Sequence, residues 1–225
     1  MTTSIRFQEQ IEIPCCRSLA EFRRWAASDQ YPDNARVDYV AGHMEVEMSP
    51  EDLFTHGNLK TKLIVVLGTL LEQRDLGTIF SDCTRIASTE ADLSAEPDIV
   101  VVLHDSLQNG QVQLVARSGD DTRFAELQGA PDLVVEIVSD SSVSKDTTRL
   151  PAAYWHAGIP EFWLIDARGD ELVHHIYRRG PSAYAPASQD LNGFQRSEVF
   201  GCSFRLSRYR HAKTGQWAYD LSMVK

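Results

Sequence analysis

Four cysteines are few for a chain of 225 residues, and none pairs with another at CxxC spacing. Cys15 and Cys16 are adjacent, while Cys83 and Cys202 stand alone. Neither a disulfide framework nor a thiolate metal site is therefore expected, and a reducing, cytoplasmic compartment is. Long apolar runs are also missing. No stretch is long enough to span a bilayer, and the opening MTTSIRFQEQIEIP has no apolar signal core. Basic residues are in deficit, with 22 Lys and Arg against 32 Asp and Glu for a formal net charge of −10. That balance excludes a protein that coats nucleic acid by bulk charge, but it allows a local basic patch. Internal repeats, low-complexity tracts and interdomain linkers are absent. What remains is 43% hydrophobic and 24% charged, and the length suits one domain over residues 1–225.

The apolar pattern predicts an α/β domain. RSLAEFRRWAAS (17–28) has Leu19, Phe22, Trp25 and Ala26 at helical spacing, with Ser18 as cap. RVDYVAGHMEVEM (36–48) reads as a hairpin turning near Ala41-Gly42-His43. Ser49-Pro50-Glu51-Asp52 reads as a helix start with acids in its first turn, the helix running to about residue 73 on Leu59, Leu63, Val66, Leu67, Leu70 and Leu71. TIFSDCTRIA (78–87), PDIVVVLHD (97–105) and PDLVVEIVS (131–139) read as strands, the last two apolar enough to be covered on both faces. Residues 106–128 are polar and read as a surface connection. A helix is predicted from about 149 or 150, after which Gly158 stops it, and a hairpin then turns at Gly169-Asp170. Short strands close the chain. The expected architecture is a mixed β-sheet flanked by helices with a β-rich C-terminal part.

Within APDLVVEIVSDSSVSKD (130–146), two acids interrupt an otherwise apolar strand. Alternation puts Asp132, Val134, Glu136 and Val138 on one face. A carboxylate buried there needs a cation, either a structural Arg or Lys or a bound metal. EPDIVVV (96–102) has the same local form, and its Asp98 shares a face with Val100 and Val102. If the two strands are neighbours, Asp98 and Glu136 approach within a few ångströms. Such a pair suits Mg2+ or Mn2+, which activates water and neutralises charge on a phosphodiester. The competing reading gives Asp132 to a strand cap, Glu136 to an arginine and Asp98 to a turn.

PDLVVEIVSDSS, KD and AGIPEFWLID, with GHMEVEMSPEDLFTH and EPDIVVV upstream, resemble the Uma-two family of restriction-endonuclease-like proteins, within the PD-(D/E)XK phosphodiesterase superfamily. The likeness covers roughly residues 17 to 208. It implies a restriction-endonuclease-like fold, a central mixed β-sheet flanked by helices, and a divalent-metal-dependent endonuclease with Asp98 and Glu136 as metal ligands. It also implies a nucleic-acid substrate, DNA first, and a homodimer if both strands are cut. The superfamily lysine two residues after the Glu is Val138 here, and the position in the next helix where the family carries it is Leu150. Lys145, then Arg149, are the nearest cations to take its part, although Arg cannot serve as a base. The alternative is a nuclease-fold module that binds nucleic acid or protein without cleaving. A third option is an unrelated metal hydrolase acting on a small phosphate ester.

Other residues divide between two readings each. His56 sits either on a solvated His–Lys face or toward the acids, and Glu45 or Glu47 could complete a metal site. His174 and His175 point to opposite faces and read as structural, and Ser139, Ser141 and Ser142 read as loop or cap residues without a G-x-S-x-G elbow. Arg205, Arg208, Arg210 and Lys213, with Tyr209 between them, form the densest basic cluster. They could contact phosphates or bases, or only keep a sheet edge solvated.

Overall fold

The computed structural model describes residues 13–32, 36–47, 50–117 and 120–225. The expected Ser49 and Met48 contributions, the opening residues and Gly119 lie outside them. Helix α1 (Leu19–Ala26) begins where Ser18 Oγ accepts from the Glu21 backbone and buries Leu19, Phe22 and Trp25. Strands β1 (Arg36–Val40) and β2 (His43–Glu47) form the expected hairpin, Ala41 and Gly42 both holding positive φ as a tight primed turn requires. The next helix differs from the reading of its start. Asp52 is the cap, accepting from Phe54 N at 2.9 Å and Thr55 N at 2.7 Å. A π-helical turn (Leu53–Asn58) follows and leads into α2 (Leu59–Arg74). Glu51 is therefore outside the helix and free to fold back.

The predicted strand at 78–87 is two strands in two sheets. β3 (Gly77–Ser81) ends before Cys83, which takes φ +61°, and the chain then enters β4 (Arg85–Ser88). β5 (Leu93–Ala95) and β6 (Ile99–Leu103) follow, and a short helix, α3 (His104–Gln108), takes the last two residues of the expected strand and the start of the expected connection. The supposed connection at 106–128 is largely a hairpin of β7 (Val112–Arg117) and β8 (Asp120–Gly129). Most of its side chains are exposed, so no apolar alternation marks it. β9 (Leu133–Ile137), a second π-turn (Lys145–Arg149), α4 (Leu150–His156), β10 (Glu161–Asp166), β11 (Val173–Arg179) and β12 (Tyr184–Pro186) come next. Gly158, at φ +86°, stops α4 as expected. β13 (Gln195–Ser197), β14 (Cys202–Arg210) and β15 (Trp217–Val224) complete the described chain.

The strands make two six-stranded mixed sheets, β2-β1-β5-β4-β8-β7 and β12-β11-β10-β9-β6-β3, and a three-stranded sheet, β13-β14-β15. The mixed α/β character holds; the single expected sheet is two. The second six-stranded sheet is covered on both faces, as its apolar runs require. Leu133, Val135, Ile137, Ile99 and Val101 pack under α2 and the small sheet. Val134, Val100 and Val102 face the other way, against α4 and parts of the first sheet. Glu136 and Asp98 belong by alternation to this second face. Among the described residues, no helix is long and apolar enough to cross a membrane.

Candidate active site

β6 and β9 are antiparallel neighbours, with Val100 opposite Val134 and Ile99 opposite Val135. The same register extended by one residue sets Asp98 opposite Glu136, both 1% exposed. Asp98 Oδ2 accepts from Ile137 N at 2.7 Å, which fixes the carboxylate at the sheet end. Tyr154 of α4 donates its hydroxyl to Glu136 Oε1.

Four basic side chains converge on this end. Arg36, at the start of β1, reaches Asp98 Oδ1 at 3.5 Å and Glu136 Oε2 at 3.4 Å, so it is the cation between the two acids. His56, from the first π-turn, lies 3.4 Å from Asp98 Oδ2 by Nε2 and 2.9 Å from Glu51 Oε2 by Nδ1. Lys60, one turn on, contacts Glu51 at 3.0 Å, Asp82 at 2.6 Å and Asp98 at 3.2 Å. Lys145, from the second π-turn, contacts Asp38 at 3.0 Å and Glu47 at 3.2 Å. Wide π-turns thus present two of the four basic groups, a local geometry often found at functional sites.

The acids outnumber these bases: Asp38, Glu47, Glu51, Asp82, Asp98, Glu136 and Asp146 face Arg36, His56, Lys60 and Lys145. The shortfall shows in protonation. Burial, then the Asp146 charge, pushes Glu136 well above the usual carboxylate range, with Arg36 opposing. Burial likewise raises Asp146 against Lys145 and Ser142. Asp98 goes the other way, because His56, Arg36 and Lys60 outweigh its burial. Burial pulls His56 down, but Asp98 and Glu51 more than offset it and hold it up at about 9. Asp146 is 2% exposed and its Oδ1 has no hydrogen-bond partner. A buried region short of positive charge, with an orphaned carboxylate oxygen, fits a hard divalent cation held by oxygen ligands. Glu51, His56 and Asp98 also offer ligand atoms within 4.8 Å of one another. That trio fits a metal only when His56 gives up its proton.

Asp98 and Glu136 meet as the spacing suggested. Asp132 is a cap, accepting from Leu103 N at 2.7 Å and Ser106 Oγ at 2.8 Å. His56 is 4% exposed and faces the acids. Glu47 joins the site through Lys145, and also accepts from Ser139 and Ser141. Glu45 turns outward to Arg149, 2.9 Å away on the partly exposed side. Leu150 is fully buried in the core cluster that includes Tyr154, and it supplies no cation. His174 packs edge-on against Trp163, consistent with a structural role. Arg36, Asp38, Glu51, Lys60, Asp146 and Tyr154 were not picked out by the sequence. Asp146 stood in the KD of the family likeness without a role of its own, and Asp38 left a signal as an acid inside the apolar run VDYV.

The basic C-terminal cluster lies on β14 and the turn after it. Arg208 donates to Ala167 O at 3.0 Å and Gly169 O at 2.7 Å, and both it and Arg210 stack on Trp217. Arg205 donates to Asn192 O and covers Phe194, and Lys213 is exposed. Arg168, between the two carbonyls that Arg208 holds, lines an opening of about 500 Å³ with Glu51, His56 and Ser139.

Three comparisons bear on this arrangement. Residues 19–208 match the family described as "Uma2: Putative restriction endonuclease". Among solved structures, one titled "Crystal structure of a putative nuclease belonging to DUF820 from Anabaena variabilis ATCC 29413" aligns with a TM-score of 0.56. The identity is 19%, over 82% of this chain and 90% of that one, a likeness of fold. No curated protein matches the chain.

Proposed function

The chain belongs to the Uma2 family, and on that premise we propose that it is a divalent-metal-dependent endonuclease hydrolysing nucleic-acid phosphodiester bonds. Mg2+ or Mn2+ would be held by Asp98 and Glu136. The observation that carries this reading is the pair itself: two carboxylates opposed on adjacent strands, both 1% exposed, in a region with more acids than bases. When bound, the ion supplies a polarised phosphoryl oxygen and an activated water. Ile137 N and Tyr154 hold the two carboxylates in place. Burial pulls Lys145 down, but Asp38, Glu136 and Asp146 together more than offset it and keep the side chain charged, so it would donate to phosphate oxygen and cannot accept a proton. Arg149 is a second, outer cation.

We assign DNA as the substrate. Arg208, Arg210 and Lys213 would meet its phosphates, with Arg205 further along the same strand. Their support is the tie from Arg208 to the Arg168 turn beside the opening. Four free cysteines support a cytoplasmic location, and cutting both strands would call for two copies. The rival reading, a module that binds without cleaving, is favoured by Val138 and Leu150 where a lysine is expected.

Calorimetric titration with Mn2+, on the parent and on Glu136→Ala, tests the proposal alongside plasmid cleavage. Saturable heat in the parent, lost in the variant, together with metal-dependent nicking, is the expected result. A parent that binds no metal rules the nuclease out. Metal binding without cleavage of duplex DNA, single-stranded DNA or RNA favours the binding module.

A further inference from the structure

Arg36 is held unlike Arg85, the buried arginine nearby. Arg85 is clamped: it pairs with Glu96, donates to Tyr31 at 2.8 Å and Ser94 at 3.2 Å, and lies over the Phe22 and Tyr31 rings. Arg36 reaches four carboxylates and grips none closely. Asp98 is 3.5 Å away, Glu136 3.4 Å, Asp38 3.8 Å and Glu47 4.0 Å. Charged N–H···O contacts normally close to about 2.7–2.9 Å. Its Nε is buried with no hydrogen-bond partner. The side chain is nevertheless 21% exposed, so a route to solvent exists. Glu136 has no other cation in contact among the described residues, whereas Asp98 keeps His56 and Lys60.

We propose that Arg36 is an internal counter-cation, holding Asp98 and Glu136 together when no metal is bound and swinging out when one binds. The inference rests on the metal-site reading above. Lys145 also meets Asp38 and Glu47, and His56 and Lys60 also meet Asp98, so Glu136 is the acid that depends on Arg36 among the described residues. A divalent ion on the same two carboxylates would be strongly repelled by a guanidinium left in place, because like charges interact strongly away from water. Metal entry and Arg36 are then in competition, and the metal affinity of the parent is set partly by the need to displace this side chain. Arg36 acts on the site by position, through the acids.

The test compares Mn2+ titrations of the parent, Arg36→Met and Arg36→Lys at low ionic strength. Arg36→Met should bind Mn2+ about 10-fold more tightly than the parent, the effect of removing roughly 1.4 kcal/mol of competition. Arg36→Lys, which keeps the charge, should stay near the parent. Without metal, Arg36→Met should melt below the parent, and Mn2+ should restore it by more. Affinity in Arg36→Met that is unchanged or weaker overturns the proposal. If the parent loses its heat on Glu136→Ala while Arg36→Met equals the parent, only this inference falls. If neither parent nor Arg36→Met binds Mn2+, the metal-site reading falls with it. The parent alone gives a check independent of variant folding: phenylglyoxal, which modifies arginine, followed by peptide mass spectrometry. Mn2+ should speed modification at Arg36, and unchanged or slower modification overturns the proposal.

Discussion

One sheet buries a glutamate at each end, and the two are treated differently. Glu161 opens β10 and Glu136 lies near the end of β9, the parallel strand beside it. Each is 1% exposed, and burial raises both. Glu161 is saturated by neutral donors: Trp163 Nε1 at 2.8 Å, Ser197 Oγ at 2.6 Å and Glu198 N at 2.8 Å. These contacts lock the small sheet onto the large one. Glu136 has a tyrosine hydroxyl, a distant guanidinium and other acids for neighbours. A buried carboxylate that builds structure is met by fixed dipoles, whereas one kept for a ligand is left short of charge.

The largest expected effect separates the two ends. Glu161→Ala should cost about 3 kcal/mol in urea unfolding, because three buried donors lose their acceptor. It should leave Mn2+ heat unchanged. Glu136→Gln should cost under about 1 kcal/mol near pH 6, since a neutral amide replaces an acid whose ionisation is disfavoured there. It should abolish the Mn2+ heat. The comparison breaks if Glu136→Gln unfolds the protein while Glu161→Ala silences the metal.

A smaller effect sharpens it through pH. With chelator present, the folded state keeps the Glu136 proton above the ordinary carboxylate range, where the unfolded chain has lost it. Folding then binds more protons than unfolding, so stability falls as pH rises through that range. Glu161 adds a slope of the same sign. His56, raised to about 9, contributes stability that is fully present below its ordinary value near 6.5 and is lost as pH rises through about 9. Melting temperature should therefore decline from pH 6 to pH 9.5. Glu136→Gln should flatten the lower part of the decline and His56→Gln the upper part. A parent that melts at the same temperature at pH 6 and pH 9.5 would contradict the protonation assigned to both residues.

The site was half legible in the sequence, and the division has a physical basis. Strand alternation is local, so PDIVVV and PDLVVE each announced an acid on a known face, and neighbouring strands brought them together. Arg36 left no such mark, because it acts on residues 62 and 100 positions away through a different sheet. The split of 78–87 turned on Cys83 adopting a left-handed conformation, a choice made by the two sheets and not by propensity. The hairpin of β7 and β8 was missed because most of its side chains face solvent, so its polar composition looked like a loop. The π-turns were also invisible: residues 53–58 read as ordinary helix, and 145–149 lie mostly ahead of the helix predicted from about 149 or 150. Yet they decide that Lys145 points inward while Leu150 takes the core position.

The smallest expected effect concerns the two cations that the sequence offered for the missing lysine. They leave the same π-turn in different directions. Lys145 is 5% exposed against Asp38 and Glu47, whereas Arg149 meets Glu45 where both side chains retain substantial exposure. An ion pair of the second kind contributes about 0–1 kcal/mol, reduced further by salt. Arg149→Met should therefore shift stability by no more than about 0.5 kcal/mol and leave Mn2+ affinity unchanged. If it contacts substrate at all, it should raise KM without changing kcat, because an outer cation binds ground state and transition state alike. A large fall in kcat in Arg149→Met would move the charge that serves the phosphate from the buried end of the π-turn to its exposed end. Lys145 would then be structural, holding Asp38 and Glu47 as firmly as Glu161 is held at the far end of the sheet.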